Sequence, residues 1–179
     1  MSIFDVYKAS IDEVRVLAES IVRVYASAYM APPYNETAED VDAFRRSWRE
    51  RTGTLGFRVV VAREGDQIVG MAYGWTCVDG SRWNEVLASG LGPTAQTWLA
   101  DCFEFVDLAV LASYRGHGLG GRLIAGLLHG LPHETSVLLT SSAVTTAHSM
   151  YIRRGWQVLC SDFDVGREEP FVIMGTRLQ

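Results

Sequence analysis

The chain has 179 residues, 48% of them apolar, and a formal net charge of −5. That size and apolar share suit a single globular domain over residues 1–179 with a substantial core. The acidic balance argues against general binding to nucleic acid, which needs a basic stripe to displace phosphate counterions.

No segment approaches the roughly 20 apolar residues needed to cross a bilayer, and no basic region followed by an apolar run stands at the N-terminus, so a cytoplasmic protein away from membranes is expected. Cys77, Cys102 and Cys160 are odd in number, dispersed and without Cys-x-x-Cys spacing, which predicts free thiols rather than a disulfide framework or a zinc site.

Residues 2–8 alternate weakly and predict a first strand. Ser10-x-x-Glu13 forms a capping box ahead of Ile11, Val14, Leu17, Ala18, Ile21, Val22 and Tyr25 at helical spacing, which predicts a first helix. Pro32-Pro33 breaks the chain, and Thr37-x-x-Asp40 caps a second helix with Val41, Phe44 and Trp48 on one face, ended by Gly53 and Gly56. Residues 57–63 and 67–77 are β-rich runs joined by Glu64-Gly65-Asp66, the pattern of an antiparallel hairpin. Over residues 79–100, Gly90, Gly92 and Pro93 interrupt the apolar positions, which predicts an insertion carrying short helices.

Phe105-Val106-Asp107-Leu108-Ala109-Val110 ends a strand that begins near residue 103, and Arg115-Gly116-His117-Gly118-Leu119-Gly120-Gly121 follows within five residues. Leu119, Leu123, Ile124, Leu127 and Leu128 then lie on one face of a helix. Strand, glycine turn and helix in that order build an anion cradle: glycines let the backbone turn tightly, and the first turn of the helix points unpartnered N–H groups at whatever anion arrives. A pyrophosphate fits. The loop lacks the Gly-Lys-Ser/Thr of a P-loop and lies too far along the chain for the Gly-x-Gly-x-x-Gly of a dinucleotide fold. Arg115, His117 and Arg122 supply local positive charge despite the acidic total.

A second motif follows. Residues 136–142 read as a buried strand, and Ala147-His148-Ser149-Met150-Tyr151-Ile152-Arg153-Arg154-Gly155-Trp156 as a helix closed by glycine. Residues 157–160 and 171–176 provide two terminal strands around the charged segment Arg167-Glu168-Glu169.

The spacing Arg115-x-x-Gly118-x-Gly120 after Leu108-Ala109-Val110 resembles the acyl-CoA signature of the GCN5-related N-acetyltransferase (GNAT) family. The second motif, with Ala147 and Tyr151 four residues apart and Gly155-Trp156 opening the next strand, is similar to that family's in order and separation. The resemblance implies an α/β fold of the acyl-CoA N-acyltransferase type: a mixed, mostly antiparallel sheet of six or seven strands flanked by helices and splayed where CoA enters. It implies acetyl-CoA as co-substrate, with 115–121 around the pyrophosphate. It assigns Leu108, Ala109 and Val110 to main-chain pairing with pantetheine and to the N–H that receives the developing oxyanion, and Ala147 to the cofactor side.

Acetyl transfer to a primary amine without a covalent enzyme intermediate requires a neutral nucleophile, yet an alkyl amine with a pKa of about 10.4 is mostly protonated at neutral pH. Alternation puts Glu104, Val106, Leu108 and Val110 on one face of the strand, and Glu104 stands where the histone acetyltransferase branch of the family keeps its general base. An ion-paired or solvated Glu104 fits the same position, and Asp107, on the opposite face, competes for the role. Tyr151 matches the tyrosine that protonates the departing thiolate; an aromatic core position is its other reading.

One departure stands out. The family often carries Asn seven residues before that tyrosine, where this chain has Val144, and Ser142 or Thr145 is the available substitute.

Tyr34 and Asn35 fall in the loop where the resemblance sets the acceptor. Tyr29, Tyr34, Trp48, Tyr73, Trp75 and Trp83 suit an acceptor pocket and core packing equally. His117, His129, His133 and His148 show no metal-ligand spacing, so no metal is expected; His117 is read as a phosphate donor and the others as surface histidines. The amine, a small molecule or a peptide, is not readable here. A homodimer agrees with family habit. Two other readings stay open: an acyl-CoA sensor without turnover, and an enzyme of the same fold with a longer acyl group or an oxygen acceptor.

Overall fold

The computed structural model describes residues 4–143, 145–166 and 170–178. Its seven strands form one mixed sheet in the order β1-β2-β3-β4-β5-β7-β6. The chain divides into two compact units, one reaching to Gly74 and resuming over Asp107–His129, the other comprising Trp75–Val106 and the chain from Gly130 on.

The first unit opens with β1 (Asp5–Lys8), then α1 (Ile11–Val16), α2 (Ala18–Tyr29) and α3 (Ala38–Arg51), followed by β2 (Arg58–Glu64) and all but the last two residues of β3 (Gln67–Thr76). The one long helix expected from residue 11 is two. Leu17, at φ −83° and ψ 2°, leaves the α region between α1 and α2, while the Ile21 N–H still donates to its carbonyl at 3.0 Å. The hydrogen-bond ladder therefore bridges the bend, which is why the apolar spacing runs on unbroken. At α3 the capping box is complete: the Thr37 hydroxyl accepts from the Asp40 N–H, and the Asp40 carboxylate accepts from the Thr37 N–H at 2.8 Å. The β2–β3 hairpin turns through Gly65 at φ +55°.

Register decides which helix covers which face. β2 and β3 pair Val59 with Tyr73 and Val60 with Ala72, and alternation sends these pairs to opposite sides. On one side α3 packs its aromatic stripe, with Trp48 edge-on to Tyr73 at 5.2 Å and Phe44 stacked on Tyr25 at 3.8 Å. On the other lies α6 (Leu119–Leu128), where a Cβ on Gly126 would come 3.2 Å from Val60 and one on Gly70 3.1 Å from Leu123. Those two glycines let the α6 backbone approach the sheet closely.

The second unit holds α4 (Arg82–Leu91), α5 (Ala95–Leu99), the start of β4 (Cys102–Val110), β5 (Thr135–Ser141), α7 (Thr146–Arg153), β6 (Gln157–Phe163) and β7 (Phe171–Arg177). β5 and β7 run antiparallel from Thr135↔Arg177 to Ser141↔Phe171, whereas β4 and β5 run parallel. The helices expected over residues 79–100 are present, and α4 continues through Gly90. Glycine is required there because Ile173 and Phe163 already fill the place of a Cβ, at 2.6 and 2.8 Å. Leu87, Leu91, Trp98, Leu99, Cys102, Val137 and Ile173 form the core, each large side chain contributing about 1.5–3 kcal/mol on burial. The Thr135 hydroxyl donates to the Trp98 carbonyl at 2.8 Å and ties α5 to β5. β6 extends three residues past the expected end at 160. The charged segment 167–169 lies outside the described residues.

Candidate active site

In the first unit, β4 ends at Val110 and a turn over Ala112–Tyr114 leads into the glycine loop. The loop is braced at three points. The Leu111 N–H donates to the Val69 carbonyl at 2.9 Å, the Tyr114 hydroxyl to Glu64 Oε2 at 2.9 Å, and Arg115 Nε to the Val110 carbonyl at 3.1 Å. Gly116 and Gly118 then adopt φ +83° and +76°, and a Cβ at either would meet nothing within 4 Å. These glycines are thus required by backbone conformation, on the open side of the loop.

Gly118 is the N-cap of α6 and brings no side chain to cap it, and the first turn carries no acidic residue. The N–H groups of Leu119, Gly120 and Gly121 precede the first intrahelical bond, from the Arg122 N–H to the Gly118 carbonyl at 3.2 Å. Unneutralised N–H groups at the positive end of a ten-residue helix, behind an open glycine loop, have the chemistry to hold a diphosphate. Arg115 is exposed at this loop. His117 sets Nδ1 3.1 Å from the Arg115 carbonyl and 3.3 Å from that of Tyr114, so this nitrogen, protonated, serves the loop's own main chain. Arg122 donates to the Phe4 carbonyl at 3.0 Å.

Behind the loop, Ala109 is buried and Leu108 and Val110 are half-buried. Asp107 accepts a short hydrogen bond from the Tyr73 hydroxyl, which in turn accepts from Arg51 Nη1 at 3.0 Å. Burial, and then the Asp107 carboxylate, push the Tyr73 phenol well above its ordinary value. Tyr25 is pushed up by burial, then by Asp107 and Glu36, and donates to Glu36 Oε2 at 2.7 Å. Tyr29 stacks on Tyr25 at 4.5 Å, and the half-buried Tyr34 lies 4.9 Å from Tyr29. Asn35, exposed and at φ +50°, donates to the Pro33 carbonyl at 3.3 Å. The residue-by-residue reading missed Arg51 and Glu36. Both are polar side chains beside a helical aromatic stripe, but only tertiary pairing brings them to Tyr73 and Tyr25.

In the second unit, Glu104 is 5% exposed and accepts from the indole Nε1 of Trp75 at 2.8 Å. It is a buried carboxylate held by the Trp75 indole. The parallel β4–β5 register runs from Cys102↔Thr135 to Phe105↔Leu138, while β5 goes on pairing with β7 to Ser141.

The Thr145 hydroxyl caps α7 by accepting from the His148 N–H at 3.0 Å. Tyr151, 6% exposed, packs edge-on to Phe105 at 6.0 Å and lies 5.6 Å from Trp156, whose N–H donates to the Tyr151 carbonyl at 3.1 Å. Ala147 is half-buried one turn before it. His148, expected at the surface, is half-buried, and its Nε2 is buried without a hydrogen-bond partner. His133, also expected there, is half-buried with Nε2 3.0 Å from Thr76 Oγ1. Val144 lies outside the described residues. Among those residues no group of three or more His, Cys, Asp or Glu side chains could hold a metal, and no helix is long and apolar enough to cross a membrane.

A mixed seven-stranded sheet flanked by helices, with a strand–glycine loop–helix cradle after β4, defines an acyl-CoA N-acyltransferase fold. The family's sequence profile, the acetyltransferase (GNAT) family, matches residues 19–156, and the chain belongs to that family. Solved structures agree on the fold. The ribosomal-protein-alanine N-acetyltransferase of Brucella melitensis aligns with a TM-score of 0.67 at 19% identity, covering 97% of this chain and 99% of that one. A candidate acetyltransferase from Salmonella typhimurium, with its cofactor acetyl-CoA, aligns with 0.67 at 17% identity over 99% and 95%. The PaiA N-acetyltransferase of Thermoplasma acidophilum, in complex with coenzyme A, aligns with 0.59 at 15% identity over 99% of both chains. No curated protein matches the sequence.

Proposed function

We propose that the chain is one N-acetyltransferase domain over residues 1–179 that moves an acetyl group from acetyl-CoA to a primary amine by direct attack. The observation that carries this is the uncapped N-terminus of α6 behind Gly116 and Gly118, whose positive φ and open surroundings suit a diphosphate. Family membership supports acetyl-CoA as the diphosphate's bearer.

In this reading 115–121 hold the pyrophosphate through main-chain N–H groups, with the exposed Arg115 adding charge. Leu108, Ala109 and Val110 offer main chain to the peptide-like pantetheine arm and an N–H to the thioester oxygen as it gains charge. Ala147 borders the cofactor. Glu104 accepts the proton that leaves the amine, its carboxylate oriented by Trp75. Tyr151, fixed by Phe105 and Trp156, gives a proton to the departing thiolate. Tyr34 and Asn35 meet the acceptor. A small amine or a peptide N-terminus suits that role, and the likeness in fold to a ribosomal-protein-alanine N-acetyltransferase supports the peptide. A cytoplasmic setting and a homodimer complete the reading.

Thiol release from acetyl-CoA against a panel of small amines and peptides, run beside calorimetric titration with CoA, tests it. Binding with turnover is the expected result. CoA binding without turnover on any amine would favour a sensor, and absence of CoA binding overturns the cradle.

A further inference from the structure

Cys77 and Cys102 are free thiols 25 positions apart in sequence and adjacent in the fold. The Cys77 N–H, one residue beyond β3, donates to the Cys102 carbonyl at 2.8 Å. Residues facing each other across neighbouring strands have Cα atoms roughly 4.5–5.5 Å apart, inside the roughly 4.4–6.8 Å that a disulfide spans. Both side chains join the same core, Cys102 inside the α4–α5 cluster and Cys77 packed against it.

Burial and chemistry divide the pair. Cys102 is 1% exposed, whereas Cys77 is partly exposed. The buried Asn84 amide donates to Cys77 Sγ at 3.4 Å, held there because the Ser81 hydroxyl accepts from the Asn84 N–H at 3.2 Å to cap α4. The accessible sulfur thus has a positioned amide donor and lies beside the buried Cys102 thiol. The neighbouring Cys102 thiol first, and then the Asn84 amide, lower the Cys77 thiol to about 7, against burial and the nearby Asp79. The Cys102 thiol moves up, raised by the adjacent Cys77 sulfur and by burial. Such a division separates an attacking thiolate from a thiol that waits beside it.

We infer that Cys77 and Cys102 form a peroxide-reactive pair that closes to a disulfide between the end of β3 and the start of β4. The Cys77 thiolate attacks one peroxide oxygen, the O–O bond breaks, and the leaving hydroxide takes a proton to become water, leaving a sulfenic acid. The Cys102 sulfur then attacks Cys77 Sγ. The S–O bond breaks, the hydroxyl leaves as a second water with the Cys102 proton, and the S–S bond forms. Two thiols lose two electrons and two protons, and one peroxide becomes two waters. Cys160 takes no part; its Sγ lies 3.6 Å from the Ser161 carbonyl.

The test treats the intact, reduced chain with a small excess of hydrogen peroxide, then counts thiols and maps peptides. Expected are loss of two of the three thiols, a mass lower by two hydrogens, one linked peptide pair carrying Cys77 and Cys102, alkylatable Cys160, and full reversal by dithiothreitol. The same loss of two thiols is expected in Cys160→Ser. In Cys102→Ser, Cys77 gains one or two oxygens and no link forms. A wild-type chain in which Cys77 gains oxygens without a link, in which the link includes Cys160, or in which both thiols of the pair stay alkylatable overturns the inference. Mapping the wild-type chain decides this even if the Cys102 variant does not fold.

Discussion

Two buried side chains carry the proposed proton transfers, and each fails differently when altered. Glu104→Gln keeps the shape and the Trp75 contact but cannot take a proton, so kcat at neutral pH falls on the order of 100-fold. The loss shrinks as pH rises, because more of the amine is then neutral in solution. Tyr151→Phe keeps the ring against Phe105 and Trp156 and removes only the hydroxyl. CoA affinity and thermal stability are expected to hold while kcat drops by at least about tenfold, the lower side of general-acid contributions. Steady-state kinetics with calorimetry on both variants checks the pair. Asp107→Asn is the discriminating companion: if it abolishes turnover where Glu104→Gln spares it, the base belongs to the Tyr73–Asp107–Arg51 chain.

Among the elements, α6 and α3 show what a helix start is for. Gly118 sits in the left-handed region with open space around it, so alanine there meets no clash and suffers only the backbone penalty, about 1–2 kcal/mol. If the loop relieves that strain by tilting the first N–H groups of α6, CoA binding weakens by roughly tenfold, read as a calorimetric Kd with the fold retained. Thr37→Ala removes one arm of the α3 capping box and costs about 1 kcal/mol, a Tm lower by roughly 2–4 °C, with CoA binding unchanged. These starts were legible because capping is local: Thr37 and Asp40, or Gly118 and the helix it opens, lie within one turn of sequence. The break at Leu17 was not, since apolar spacing survives a bend that keeps its hydrogen bonds. Nor were the partners of the carboxylates. Trp75 meets Glu104 across 29 positions and Tyr73 meets Asp107 across 34, and composition holds no record of strand register. Alternation alone set Asp107 on the face away from Glu104, but could not say that Tyr73 and Arg51 would gather there.

At the scale of the whole molecule, the tyrosines set an alkaline limit on stability. Tyr7 is pushed up to about 12 by burial and by its hydrogen bond to Glu13, and burial raises Tyr25 and Tyr73 as well, with Asp107 next in each case. An unfolded chain releases these phenolic protons near the ordinary value of 10.0. Below that pH both states hold them, and the stabilisation of the neutral phenols is fully present. Above it the unfolded chain binds fewer protons than the folded one, so stability falls with each step in pH until the folded phenols ionise too, for Tyr7 at about 12. Urea midpoints measured from neutral pH upward are therefore expected to hold up to about pH 9 and then decline, with phenolate absorbance from Tyr25 and Tyr73 appearing together with unfolding rather than ahead of it. Tyr7→Phe removes one of these proton differences, and its midpoint should decline less steeply between pH 10 and 12. A wild-type midpoint that stays level through that interval, with all phenols ionising in the folded state, would mean that the Tyr25–Glu36 and Tyr73–Asp107 hydrogen bonds do not hold those protons in solution.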